Sequence, residues 1–312
     1  KGQLCSSYPV HTTKPKEWAN PDFQPPSIRY KCLPHHLNEQ GYNTVFLGPD
    51  EKDHMHFEYQ TRSVGFEKNY YREYMRSTFL NNEPLHGSFL TDVQLSRALL
   101  GVLATEPSNK PLFIASYFKD SHVGQDSKAD GLRYGDGSNR ILNTLHTFDA
   151  VFGEFLDEFK ASERYKNSIV ILTSDHAHWP ERPYINIAGD DFNQTPVDKI
   201  ALVVHSPLLN MPASMNANNA TSLAFAPTMA HLLGFEPATN YFLGRSLFDD
   251  NQPTHPIAWF NNAIFPISSE GGVERLNVRQ TLPDDVARAW SAISLTHELE
   301  LSDAIQPKQL IP

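Results

Sequence analysis

Only two cysteines occur in 312 residues, so a miniature fold stapled by many disulfides is excluded. No apolar run approaches the roughly 20 residues that a membrane-spanning helix needs. No signal peptide is legible either, since the chain opens Lys1-Gly2-Gln3-Leu4-Cys5. A start without Met implies an N-terminus that was processed, cleaved or left out. Positive charge is scarce: 26 Lys and Arg stand against 36 Asp and Glu, for a formal net charge of -10. With no local basic cluster to compensate, this argues against nucleic acid or anionic membrane as the main partner. There is no Gly-x-Ser-x-Gly elbow and no phosphate-cradling Gly-rich loop. Neither cysteine is tied to a His and Asn arrangement, which argues against cysteine catalysis. Internal repeats and low-complexity tracts are also missing.

What remains is the composition of an ordinary globular protein, 40% hydrophobic and 20% charged. A chain of this size builds a core without a metal staple, so a bound metal would be catalytic rather than structural. Cys5 and Cys32 pair in an oxidising compartment or stay as two buried thiols; spacing does not decide. Asn193-Gln194-Thr195 and Asn219-Ala220-Thr221 match the glycosylation sequon, which matters only in a secreting eukaryote.

Residues 1–30 are rich in Pro, Ser and Thr and read as an extended, looping segment. A helix-to-strand step then recurs along the chain. Leu33 to Tyr42 reads as a short helix closed near Gly41, followed by a strand at Asn43 to Leu47. Thr91 caps a helix running to Leu103, and Pro111 to Phe118 is an apolar strand. Asn139 to Phe159 carries Leu142, Leu145, Phe148, Phe152, Phe155 and Phe159 at spacings of three and four, the strongest helical pattern present. Ser168 to Thr173 and Ile200 to Val204 are continuous apolar runs, as expected of strands buried on both faces. Ala224 to Leu233 is a helix closed by Gly234, Pro256 to Asn261 one more strand, and Asp284 to Leu299 a terminal helix. The alternation predicts an α/β fold, a mostly parallel sheet sandwiched between helices, with a smaller irregular C-terminal portion.

The most informative stretch is Ser168-Ile169-Val170-Ile171-Leu172-Thr173-Ser174-Asp175-His176-Ala177-His178. Ligands of open α/β sheets sit beyond the carboxyl ends of the strands, where Asp175, His176 and His178 fall. A carboxylate beside an imidazole makes half of a transition-metal site. The bland reading is an Asp capping a turn beside solvated histidines. His122 leaves the end of a second apolar strand and converges on the same pocket, or is a surface histidine. His54 and His56 form a His-x-His pair that binds metal, contacts substrate or lines a plain surface loop.

Taken together, several segments resemble the sulfatase/alkaline phosphatase superfamily, most of all its lipoteichoic acid synthase and phosphoglycerol transferase branch. They are LPHHLNEQGYNTVFLG, VGFEKNYY, PLFIASYFKDSH, the long helix leading to ILTSDHAH, IALVVHSP and APTMAHLLG. The resemblance spans roughly residues 1–250, with the strand and helix of 251–312 completing the same domain. It implies an alkaline-phosphatase-like fold and one divalent metal, Mn²⁺ favoured over Zn²⁺, Mg²⁺ or Ca²⁺. Asp175 and His176 match its metal ligands; His122 and His178 match its phosphate-contacting, catalytic histidines. The family's Thr nucleophile matches a position just before Lys1, so this chain is expected to need an upstream N-terminal segment of the same protein as its partner. The implied substrate is a phosphoester of phosphoglycerol or phosphoethanolamine type, or a sulfoester, with lipid-linked substrates included. An extracytoplasmic location and an upstream membrane tether are implied too. Departures are Ala224 for the Asp before the APT stretch, Ala177 for a Gly, and Met55-His56-Phe57 for Trp-Asn-Arg. His54, His56 or Arg62 would have to replace the lost Arg in binding substrate. These departures leave a catalytically inactive binding or regulatory protein on the same fold as the alternative.

Overall fold

The structure is a computed structural model that describes residues 2–8, 30–85, 87–122, 131–189, 197–218, 220–237, 241–249, 256–260, 263–268, 270–277, 279–302 and 304. Most of the Pro-rich N-terminal segment and both sequons' Asn193 and Asn219 lie outside the described residues. In chain order the elements are α1 (Gly2–Cys5), α2 (Leu33–Glu39), β1 (Asn43–Leu47), α3 (Phe57–Ser63), β2 (Lys68–Tyr70), α4 (Arg72–Phe79), α5 (Asp92–Thr105), β3 (Leu112–Ser116), α6 (Arg140–Lys160), β4 (Val170–Thr173), α7 (Arg182–Ala188), β5 (Leu202–His205), α8 (Phe225–Leu232), β6 (Ile257–Phe260), β7 (Ala263–Pro266), β8 (Leu276–Asn277) and α9 (Asp284–Leu301). Two compact units interleave in sequence. One comprises 1–44, 55–67 and 214–312, the other 45–54 and 68–213.

The second unit is the α/β one. Its strands are ordered β2-β1-β3, and β1 pairs parallel to β2 with Val45 opposite Lys68. Its core joins Val45 and Leu47 of β1, Leu95, Ala98, Leu99 and Val102 of α5, and Phe155 and Phe159 of α6. Helix α5 starts where Thr91 Oγ1 accepts the Gln94 N–H at 3.3 Å while the Gln94 side chain accepts the Thr91 N–H, a reciprocal cap. Helix α6 starts with the Asn139 side chain accepting the N–H groups of Ile141 and Leu142. Its one-sided phenylalanine row packs ring on ring, from Phe148 through Phe152 and Phe155 to Phe159.

Strands β4 and β5 form a separate antiparallel pair, with Leu172 opposite Val203. Burial on both faces was expected for these apolar runs, and it is not what the structure has. All of β4 is half-buried, and β5 alternates, with Val203 and His205 exposed. Among the described residues each has one strand neighbour, and a two-stranded antiparallel ribbon leaves a face toward water.

In the first unit a disulfide joins Cys5 to Cys32, which ties α1 to the start of α2. Neighbouring Ser6, at a left-handed φ of 48°, donates its hydroxyl to the Leu223 carbonyl and accepts the Gly244 N–H. The C-terminal portion holds more than the single strand expected: β6, β7 and β8 form an antiparallel meander against α9. Ile257, Ile264, Val286 and Ile293 are its core. Strand β7 follows β6 after only Asn261 and Asn262 in sequence, too close for two strands to be separated by apolar patterning alone.

Candidate functional site

The chemistry-bearing residues of the second unit lie just past the ends of β1, β3 and β4. Beyond Thr173 the chain turns out of β4. The side chains of Asp175 and His176 are 82% and 48% exposed. Asp175 Oδ1 accepts the backbone N–H of His176 at 3.0 Å. The His176 Nδ1 contacts the Ala177 carbonyl oxygen at 2.7 Å. A carbonyl only accepts, so Nδ1 carries the hydrogen and the Nε2 lone pair is left as a ligand. That Nε2 stands 3.7 Å from Asp175 Oδ2. Two donors at about 2.0–2.2 Å from one ion subtend a separation of this order, so the donor chemistry fits a divalent transition metal. The fit is half a site: among the described residues no three His, Cys, Asp or Glu side chains converge.

His178 sits differently. Its Nε2 lies 2.9 Å from Glu181 Oε1, and its ring packs on Tyr184 with centroids 4.6 Å apart. Glu181 Oε2 in turn pairs with Arg140 in the first turn of α6. Burial holds the His178 imidazole below its ordinary range, helped by the positive charge of Arg140 and by His176 and His122. His176 and His122 therefore both lie within electrostatic reach of His178. His122 is exposed and closes the turn after β3 through its N–H on the Lys119 carbonyl at 3.0 Å.

A buried polar layer supports this edge. Asp50, after β1, accepts from the Tyr117 hydroxyl and the Lys119 ammonium, both after β3. Burial and then Asp50 push the Tyr117 hydroxyl far up, with Asp175 contributing. Tyr117 therefore lies near enough to Asp175 to feel its charge. Asp92, 1% exposed at the start of α5, accepts the N–H groups of Lys119 and Asp120 at 2.8 and 3.1 Å. Its backbone N–H donates to Asp120 Oδ2. Asp92 thereby anchors the turn that presents His122. Burial and the Asp120 charge push its carboxyl up to about 7.

Asp175, His176, His178 and His122 thus all belong to one unit. His54 is exposed in a single 3-10 turn after β1, its N–H on the Glu51 carbonyl. His56 and Arg62 belong to the first unit. His56 adopts a left-handed φ of 58° at the start of α3, and the Arg62 guanidinium is held by Glu58 at 2.8 and 2.9 Å. Sequence reasoning missed Glu181, Arg140, Asp50, Lys119 and Asp92. Glu181 had a local signal, lying three residues after His178; Asp50 follows a strand end. Arg140 and Asp92 carry none, because a helix's first turn is a common place for either charge.

The chain matches the Sulfatase family model over residues 3–235. No curated protein matches it. Among solved structures it is similar to the lipoteichoic acid synthase LtaP from Listeria monocytogenes. Identity is 17%, covering 97% of this chain and 78% of that one, with a TM-score of 0.68. It is also similar to an alkaline phosphatase superfamily protein from Vibrio parahaemolyticus, at 15% identity over 98% and 76% of the two chains, TM-score 0.72. A Bacteroides thetaiotaomicron protein from a glycosaminoglycan-metabolism locus matches at 14% identity over 98% and 88%, TM-score 0.59. At these identities the structural likeness speaks for the fold, and it agrees with the family match. The chain belongs to the sulfatase family, within the sulfatase/alkaline phosphatase superfamily.

Proposed function

We propose that this protein hydrolyses or transfers a phosphoester or sulfoester group with one divalent metal held in part by Asp175 and His176. The observation that carries the reading is the exposed pair formed by the Asp175 carboxylate and the bare Nε2 of His176, with two more imidazoles beside it, in a chain of the sulfatase family. A bound divalent ion would supply charge neutralisation for the anionic ester and lower the pKa of a coordinated hydroxyl. Mn²⁺ suits a carboxylate and imidazole set, with Zn²⁺, Mg²⁺ and Ca²⁺ behind it.

The chain's own residues divide the remaining work. His122 donates a hydrogen bond to a non-bridging oxygen of the ester, and His178 exchanges a proton with the leaving or entering group. Asp92 and Asp50 hold the turn after β3 in place, which keeps His122 at a fixed distance from the reacting group. The nucleophile is a Thr in an upstream segment of the same protein. The negative net charge makes nucleic acid a poor substrate. The Cys5–Cys32 disulfide supports an extracytoplasmic location, because such bonds persist in oxidising compartments. No helix of the described residues is long and apolar enough to cross a membrane.

The test is turnover of bis-p-nitrophenyl phosphate and p-nitrocatechol sulfate by the full-length protein after chelation and re-addition of Mn²⁺. Metal-restored turnover on either ester, lost by at least about 100-fold in His176→Ala, is the expected result. No turnover of either ester, with His176→Ala binding Mn²⁺ as the parent does, refutes the reading and leaves an inactive binding protein on this fold.

A further inference from the structure

Helix α2 carries two adjacent histidines that the candidate site does not use, and each has to be neutral where it sits. At the start of the helix the Cys32 backbone N–H donates to His35 Nδ1 at 3.1 Å. That nitrogen must present a lone pair, because a proton on it would set two donors face to face. His35 thus takes the place in the first turn that Glu or Gln holds in a capping box. One side of its ring is closed in by Gly65, at a left-handed φ of 104°, where a Cβ would stand 2.7 Å from His35 Cγ and Nδ1. His36 is 2% exposed and meets Phe242 edge-on, 5.6 Å between ring centroids. Its Nδ1 stands 3.6 Å from Glu39 Oε2, beyond ordinary hydrogen-bond length. Its Nε2 is buried with no hydrogen-bond partner among the described residues. A charged ring carries a hydrogen on both nitrogens, so this one would be a buried, unmatched donor.

The charges that act on the pair are Glu39 and Lys31, which are ion-paired with each other. Gly65 and Phe242, which pack on the two rings from other segments, bring no titrating group. Burial holds both imidazoles below their ordinary range, Lys31 adds to this at both, and His36 adds to it at His35. Glu39 pulls the other way without overcoming burial. The helix is also tied covalently, since Cys32 at its start is joined to Cys5 of α1, and both cysteines are fully buried. We propose that His35 and His36 form an acid-released latch: proton uptake by the two rings frees α2 from Cys32, Gly65 and Phe242, while the disulfide keeps the opened segment tethered to α1. The sign follows from the contacts. The closed form excludes protons that the open form binds, so closure is complete above the ordinary histidine value of about 6.5 and is lost as pH falls below it. The latch lies in the first unit, apart from Asp175 and His176, and does not rest on the ester-cleaving reading.

The experiment is hydrogen–deuterium exchange of the full-length protein, read on the peptide that spans α2 and corrected for the intrinsic pH dependence of exchange. Between about pH 7.5 and about pH 5 the parent's α2 should open at least about tenfold more, since a proton bound only by the open form shifts the equilibrium by up to about tenfold per pH unit. The double variant His35→Gln/His36→Phe keeps an acceptor for the Cys32 N–H and a ring against Phe242, but nothing that titrates. Its α2 protection should stay constant within about twofold over the same range. Parent protection that does not change with pH overturns the proposal, and so does a double variant that loses protection as the parent does. If the double variant does not fold, the parent alone decides through the rate at which a phosphine reduces the buried disulfide, taken relative to an exposed model disulfide. That relative rate should rise at least about tenfold over the same fall in pH, because reduction needs the corner to open. A flat or falling relative rate overturns the latch.

Discussion

Replacing Cys5 and Cys32 together by Ala opens a loop of 27 residues that the native chain keeps closed. In the chain-entropy account the closure is worth about 3.5 kcal/mol at 25 °C for a loop of that length. Both sulfurs are fully buried, so alanine leaves small apolar voids rather than unsatisfied hydroxyls, and each void adds a fraction of the cost of a lost side chain. The loss should also loosen Ser6, whose left-handed backbone sits next to Cys5 and whose side chain joins Leu223 and Gly244. For a protein of this size each kcal/mol moves Tm by about 1.5 °C, so a fall of about 5 °C is expected. The assay is thermal unfolding by circular dichroism, parent against double variant, each with and without reductant. Reductant added after denaturation should lower the parent's refolded Tm toward the variant's and leave the variant unmoved. Two free thiols titrated in denatured, unreduced parent, or a variant melting within about 2 °C of it, would refute the reasoning.

Phe155→Ala removes a ring at the centre of the stacked row on α6, where it is 6% exposed. It should cost about 3–5 kcal/mol, read as a lower urea midpoint at unchanged slope. Asp92 gives a pH signature. Its carboxyl is pushed from 3.8 up to about 7 in the folded protein, chiefly by burial and then by Asp120, so the folded state binds the extra proton between those values. Stability should therefore fall as pH rises from about 4 to 7, and Asp92→Asn should flatten that slope in urea titrations across the window. A slope identical in the variant would remove Asp92 as its cause.

Much of this protein was legible without coordinates. The three- and four-residue spacing on α6 places a phenylalanine stripe on one side of any helix, and a core helix is what buries such a stripe. Thr91 and Gly234 marked helix ends because capping and left-handed closure are local chemistry. An apolar strand running into Asp175 and His176 made these two residues candidates because sheet proteins put ligands at strand ends. Order of motifs along the chain was enough to point to the family, since order survives where identity has fallen to 17% or less. Tertiary structure decided the rest. Apolar runs look alike whether a strand lies inside a sheet or at its edge, so the half-burial of β4 and the antiparallel turn of β5 depended on which strands became neighbours. Two cysteines become a disulfide only when the fold brings α1 against α2. A histidine's partners are set by whatever the fold packs around it. For His178 they include a carboxylate fixed by Arg140 from 41 residues away in sequence, a distance across which no local pattern carries information.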